Sequence, residues 1–285
     1  MSKKIIIAID AMGGENAPYK NIEGIKLFLD KNKSNDYFFN IYGDEKIIQD
    51  EIQKNKIDEK NIKIFNTLSV VSDEETPLTA LKSSKDSSMW NSINSQKNDQ
   101  ADISLSAGNT GVLFVISRMI LKTIDKVSKP ALAGLWPNKK GMNVVLDLGA
   151  NIECDENNLI DFSEMGSALY KSLFPNETPK VALLNVGSEE IKGTNTIKKA
   201  HNHLKELSKK GDFVFNGYIE GNKIPDGNSN VIVTDGFTGN IALKTAEGTA
   251  NFITSELKQA MSSTLIGKVS SLLNLKNLKK FKNKL

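Results

Sequence analysis

With 285 residues, 39% of them hydrophobic and 25% charged, the chain is long enough to bury a large core and has the composition of an ordinary soluble globular protein. A formal net charge of +3, with no arginine-rich run interleaved with aromatics, argues against nucleic acid as a partner. The single cysteine, Cys154, excludes an intramolecular disulfide and thiolate zinc clusters and fits a reducing compartment.

Met1-Ser2-Lys3-Lys4 precedes only a short apolar run, Ile5 to Ile9, that ends at Asp10. The run is too short for a signal peptide or a membrane span, so a cytoplasmic location is expected. Ala17-Pro18 opens a helix carrying Ile22, Ile25 and Leu29, with a lysine-rich end at Lys31 and Lys33. Tyr37 to Tyr42 reads as a strand, Gly43-Asp44 caps a helix with Ile47, Ile48 and Ile52, and Asn61 to Phe65 returns as a strand. This βαβαβ order predicts a parallel sheet. Ser72 to Thr76 is a polar turn, and Pro77 begins a long segment to Lys97 that is rich in serine and lysine.

The stretch from Ile103 to Leu121 is strand, polar glycine loop and helix: Ile103 and Leu105 close the strand, Ser106-Ala107-Gly108 turns the chain, and Asn109-Thr110 caps a helix with Val112, Val115, Ile116, Met119 and Ile120. Such a helix start presents unpaired backbone N–H groups and the positive end of its dipole, a natural seat for an anion such as phosphate. Pro130 to Trp136 is the next expected strand, followed by helices over Glu156 to Phe174 and Thr194 to Lys209, a strand over Phe213 to Tyr218, and a longer helix over Thr238 to Leu257.

The strand-to-polar-loop grammar recurs. Ile5 to Ile9 runs into Asp10-Ala11-Met12-Gly13-Gly14, Val144 to Leu146 into Asp147-Leu148-Gly149-Ala150-Asn151, Val181 to Leu184 into Asn185-Val186-Gly187, and Val231 to Val233 into Asp235-Gly236-Phe237-Thr238-Gly239-Asn240. In one parallel sheet these loops line a single edge, which predicts one site built from several loops. The phosphate cradle is of no standard nucleotide type: GxxxxGK[ST] and GxGxxG are both absent, as is the hydrolase elbow GxSxG. His201 and His203 lie two apart on a helix among polar neighbours and are expected to be solvated. Asp10, Asp147 and Asp235 are expected to bond loop N–H groups rather than to share a metal ion.

Beyond Glu256 the chain has no acidic residue but seven lysines, Lys258, Lys268, Lys276, Lys279, Lys280, Lys282 and Lys284. Between them Leu265, Ile266, Val269, Leu272, Leu273, Leu275, Leu278 and Phe281 make the last segment basic and amphipathic. A packed terminal helix and a surface for anionic lipid or an acidic partner fit this pattern equally.

Taken together, DAMGGENAP at 10–18, KDSSM at 85–89, SAGNTG at 106–111, KPAL at 129–132, LDLGAN at 146–151, LLNVGSEEIKG at 183–193 and DGFTGN at 235–240 followed by LKTAEG resemble the PlsX-type phosphate acyltransferases, or acyl-acyl-carrier-protein:phosphate acyltransferases. The resemblance implies a three-layer α/β/α fold with a mostly parallel sheet, similar to phosphate acetyltransferase and isopropylmalate dehydrogenase. It implies a catalytic domain over 1–260 and a basic amphipathic helical segment over 261–285. It also implies a homodimer that makes acyl phosphate from acyl-acyl-carrier-protein and inorganic phosphate in bacterial phospholipid synthesis, needs no cofactor or metal, and touches the inner face of the membrane through 261–285. Trp90 and Lys129 stand where the family usually has arginine, and Glu15 where it has aspartate. The family's closing glycine-rich segment and helix are missing after the basic region.

In the expected site, backbone N–H groups at Gly13-Gly14 and Gly108-Asn109-Thr110 cradle phosphate, with donors and charge from Ser87, Ser88 and one or more of Lys85, Lys192 and Lys244. Asn109, Asn151 and Asn240 are candidate oxyanion donors, while Asp10, Asp147 and Asp235 orient the loops. The alternative readings are a short-chain acyl transferase acting on coenzyme A thioesters, and a truncated, catalytically silent protein that binds membrane or carrier protein.

Overall fold

The computed structural model describes residues 4–32, 36–72 and 74–282 and divides the chain into two compact units, Met1–Asp125 and Lys126–Leu285. Lys33 and Lys284, named above in basic runs, lie outside the described residues.

In the first unit, hydrophobic runs alternate with amphipathic helices: β1 (Ile5–Asp10), α1 (Tyr19–Lys31), β2 (Tyr37–Gly43), α2 (Glu45–Lys54), β3 (Ile62–Asn66), α3 (Pro77–Ser83), α4 (Ser88–Lys97), β4 (Ile103–Ser106) and α5 (Thr110–Leu121). The strands form a wholly parallel sheet in the order β3-β2-β1-β4, with Asp10 in register with Tyr42 on one side and Ser106 on the other. Alternate side chains point to opposite faces. On one face Ile7, Ile9 and Ile41 meet Ile22 and Ile25 of α1 and Ile48 and Ile52 of α2. A separate cluster joins α3, α4 and α5 through Ala80, Met89, Ile93, Val112 and Ile116, with Trp90 packed against it. The expected single segment from Pro77 to Lys97 is two helices. Ser84 closes the first by donating its amide to the Ala80 carbonyl, and Asp86 turns the chain at φ 72°. Ser87 then caps the second, its hydroxyl accepting the Trp90 amide at 3.1 Å.

The second unit holds β5 (Gly134–Asn138), β6 (Gly141–Leu146), α6 (Glu156–Leu173), β7 (Lys180–Leu184), α7 (Asn195–Leu207), β8 (Val214–Ile219), β9 (Val231–Val233), α8 (Gly236–Ser262), α9 (Leu265–Leu273) and α10 (Leu275–Lys282). Its sheet runs β5-β6-β9-β7-β8, parallel except for the antiparallel edge strand β5. Val144, Leu146, Val181, Leu183 and Val231 pack under Phe162 of α6 and Leu204 of α7, while Val145, Ala182 and Ile232 face the opposite way with Leu243 of α8 against them. Helix α6 rests directly on the sheet at Gly166, where a Cβ would stand 2.7 Å from Val231 and 2.8 Å from Leu146.

Three expectations need correction. The five polar loops do not lie along one sheet: those after β1 and β4 belong to the four-stranded sheet, those after β6, β7 and β9 to the five-stranded one. The strand expected at Pro130 to Trp136 begins only at Gly134, because the preceding residues are stapled to the loop after β6, with Leu148 donating its amide to the Leu132 carbonyl at 2.9 Å. His201 is buried, packed against the rings of Phe215 and Tyr218, because α7 turns that side of the helix onto the sheet; His203 is exposed. The last segment is two short helices broken at Asn274, of which α9 is tied back to α8 by the Ser271 hydroxyl on the Met261 carbonyl. Among the described residues no helix is long and apolar enough to cross a membrane.

Candidate active site

In the first unit the parallel register sets the loops after β1 and β4 side by side. Asp10, 2% exposed at the end of β1, accepts the Ser106 hydroxyl at 2.7 Å and the Met12 amide at 3.3 Å. Ser106 in turn accepts the Gly108 amide at 3.1 Å, so acid, hydroxyl and amide form a chain across the two strand ends. Two glycines let the loops touch. A Cβ on Gly13 would stand 2.5 Å from the Asp10 carboxylate and 2.9 Å from the Gly108 nitrogen, and Gly14, at φ +92°, lies against the Ala107 carbonyl. Asn21 of α1 holds the loop from behind, donating to the Ala11 and Gly13 carbonyls at 2.8 and 3.0 Å.

Burial pushes the Asp10 carboxyl above its ordinary 3.8, and the Ser88 and Ser106 hydroxyls with the Met12 and Gly13 amides pull it partly back. Ser88, at the start of α4, is buried as well, but its hydroxyl makes no hydrogen bond. Asn109 caps α5, accepting the Val112 amide at 3.1 Å and donating to the Glu75 carbonyl at 3.1 Å. Helix geometry leaves the amides of Thr110 and Gly111 without an acceptor inside α5. Asp10, Gly13, Gly14, Ser88, Gly108, Asn109 and Thr110 are thus gathered at one sheet edge. Ser87 is committed to its cap, and Lys85 is exposed on the preceding turn. The Gly108 amide, assigned to phosphate on sequence grounds, is already held by Ser106.

In the second unit the loop after β6 closes around Asp147. Its carboxylate is fully buried and accepts the amides of Leu132, Gly149, Ala150 and Asn151 and the side-chain amide of Asn151, at 2.7 to 3.2 Å. Asn151 spends its second side-chain proton on the Pro130 carbonyl at 2.7 Å. Both donors of that amide are occupied in this geometry, where it fixes the loop. Helix α8 starts against the same loop. Gly236 donates its amide to the Asn151 carbonyl at 2.8 Å, and Gly239 touches the Asp147 carbonyl so closely that no side chain fits. Asp235 caps α8 through the Thr238 amide and hydroxyl, both at 2.8 Å. Asn240 is exposed, its amide carbon within 3.4 Å of where a Cβ on Gly149 would stand.

Lys192 and Lys244 stand at the surface, each paired at 2.8 Å with a glutamate three residues away, Glu189 and Glu247. The Glu189 carboxylate raises the Lys192 ammonium above its ordinary value and is itself lowered by it. Burial raises the Cys154 thiol, with the Gly236 amide acting against it. Ser106 is the residue that sequence reasoning missed, since only the strand register reveals that it faces Asp10.

The sequence matches the family model described as "Fatty acid synthesis protein" over residues 5–285. It is 57% identical over 285 residues to a phosphate acyltransferase of Pelagibacter ubique, covering 100% of this chain and 84% of that one, and 38% identical to a phosphate acyltransferase of Caulobacter vibrioides, covering 100% and 78%. The chain belongs to the phosphate acyltransferase family. Its named members are acyltransferases. In fold it is similar to a phosphotransacetylase of Streptococcus pyogenes, with a TM-score of 0.61 at 16% identity over 88% of this chain and 83% of that one. A EutD phosphotransacetylase of Staphylococcus aureus gives 0.59 at 16% identity, covering 87% and 83%.

Proposed function

We propose that this phosphate acyltransferase transfers a fatty acyl group from acyl-acyl-carrier-protein to inorganic phosphate, releasing the carrier thiol and acyl phosphate for phospholipid synthesis. The observation that carries this reading is the double loop of the first unit, where Gly13 and Gly14 are pressed onto Ala107 and Gly108 beside the open amides that start α5. Backbone donors converging at a helix start favour a dianion without any nucleotide motif.

The chemistry suits such a frame. A phosphate oxygen attacks the thioester carbon, the carbonyl electrons move to oxygen, and collapse of the tetrahedral adduct expels the thiolate, which takes up the proton phosphate has lost. Phosphate is ionised at neutral pH, so the protein's task is to position it and to stabilise developing charge. Thr110 and Gly111 amides with Gly14 hold phosphate in this scheme. Asp10, through Ser106, fixes the loop that carries Gly108, and Asn109 holds the start of α5.

Peripheral membrane contact and a homodimer are proposed for the last helices. Ile266, Leu272 and Leu273 are more than half exposed there, on the same segment as the lysines. Release of free carrier thiol from palmitoyl-acyl-carrier-protein, with and without inorganic phosphate, tests the function. Phosphate-dependent release supports it; release that ignores phosphate, or none at all, overturns it.

A further inference from the structure

Beside the double loop, within the first unit, an open groove of about 350 Å³ runs between α1 and the strands β1 and β4. Its floor is Ile7, Ile9 and Leu105, and its wall is the stripe Asn21, Gly24, Ile25 and Phe28, which helical spacing puts on one side of α1. Helix α1 covers β1 but not β4, so Ile103 and Leu105 keep 44% and 48% of their surface exposed. Gly24 leaves the groove unroofed at mid-helix, since a Cβ built there meets nothing within 4 Å. At the end nearest the helix start, the groove is closed by Asp10, Ser106 and Ala107.

We infer that this groove takes the acyl chain of the thioester donor, an inference that rests on the acyl-transfer reading above. Continuity carries it. Asp10, Ser106 and Ala107 belong both to the end of the groove and to the phosphate loops, so a carbonyl brought to those loops has its tail directed along Ile9, Leu105 and Phe28. A saturated chain fits the apolar floor, while the polar lining groups, Lys20 and Asn21 of α1 with Asp10 and Ser106, stand at its margins. Covering Leu105 along with Ile7, Ile9 and Phe28 supplies affinity that grows with chain length.

The test compares palmitoyl and octanoyl donors on carrier protein for the unmodified chain, Gly24→Phe and Gly24→Ala. Glycine at an exposed helix interior is the least favourable residue there after proline, so both variants are expected to fold. Gly24→Phe should lower the palmitoyl-to-octanoyl ratio of specificity constants by about tenfold or more, and Gly24→Ala should keep the original ratio. An unchanged ratio in Gly24→Phe, beside an active unmodified chain, overturns the groove and spares the acyl-transfer reading; an unmodified chain without phosphate-dependent turnover overturns that reading instead. Independently of activity and of any variant's folding, palmitoyl-carrier protein bearing a mid-chain photoreactive diazirine should label α1 or β4 near Ile25, Phe28 or Leu105. Labelling confined to other segments would overturn the assignment.

Discussion

Asp10 and Asp147 stand at the carboxyl ends of strands in two different sheets, Asp10 as the last residue of β1 and Asp147 just beyond β6, yet they are bonded in opposite ways. Asp147 is saturated: four backbone amides and the Asn151 side chain surround both oxygens. Asp10 is equally hidden from water but is met by one short hydroxyl contact and a longer amide one, and burial drives its carboxyl upward. A carboxylate wrapped in donors is the keystone of a loop. One held at a higher free energy beside an open helix start is positioned for chemistry, since strained electrostatics of this kind gather at functional sites.

The largest effect should come from Asp147→Ala. Removing the acceptor orphans several buried N–H groups at once, and the expected loss is roughly 3 kcal/mol or more. Chemical denaturation measures it, and a loss below about 1 kcal/mol would erase the distinction between the two acids.

Asp10→Asn should do the reverse. A carboxyl raised in the folded state binds its proton more tightly folded than unfolded, so its ionisation costs stability as pH rises through the window above 3.8. The amide removes that cost. The variant should therefore equal or exceed the parent in stability at neutral pH, with the advantage shrinking as pH falls and gone only well below 3.8, where the parent carboxyl is protonated in both states. Phosphate-dependent turnover should meanwhile drop by about a hundredfold as the Ser106 hydroxyl and the Gly108 loop lose their anchor. Stability and rate that fall together would make Asp10 a second keystone.

Much of this arrangement was legible in the sequence because it is local. Caps at Asp44, Asn109 and Asp235 follow from short-range side-chain chemistry, and the alternation of apolar runs with helices announces parallel pairing. What stayed hidden depends on register and on the division of strands between sheets. Ser106 faces Asp10 only because β4 pairs with β1 across almost a hundred residues of chain, as the Ile7–Ile103 register shows. Asn151 looked like a free amide because the Pro130 carbonyl that takes its proton lies in a stretch read as strand. His201 was misjudged because its polar neighbours in sequence say nothing of Phe215 and Tyr218, which pack on it from β8.

The smallest effects in stability separate the surface lysines from both acids. Lys192 and Lys244 are 46% and 67% exposed and paired within one helical turn of spacing, so replacing either by alanine should change stability by about 0.5 kcal/mol or less. Their functional weight is measured better by freeing them than by deleting them. Glu189 draws the Lys192 ammonium to itself, and Glu189→Gln breaks that hold at negligible cost in folding. If Lys192 supplies charge to phosphate, the freed ammonium should lower the KM for phosphate about two- to threefold at low ionic strength, and the gain should fade as salt screens it. Lys192→Ala should raise the same constant, with kcat nearly unchanged in both variants. The parallel substitution Glu247→Gln asks the question of Lys244, whose partner lies one turn further from the start of α8. A phosphate KM indifferent to all of these variants would leave both lysines as solvated surface charges. Anion binding would then rest on the backbone amides of the double loop alone.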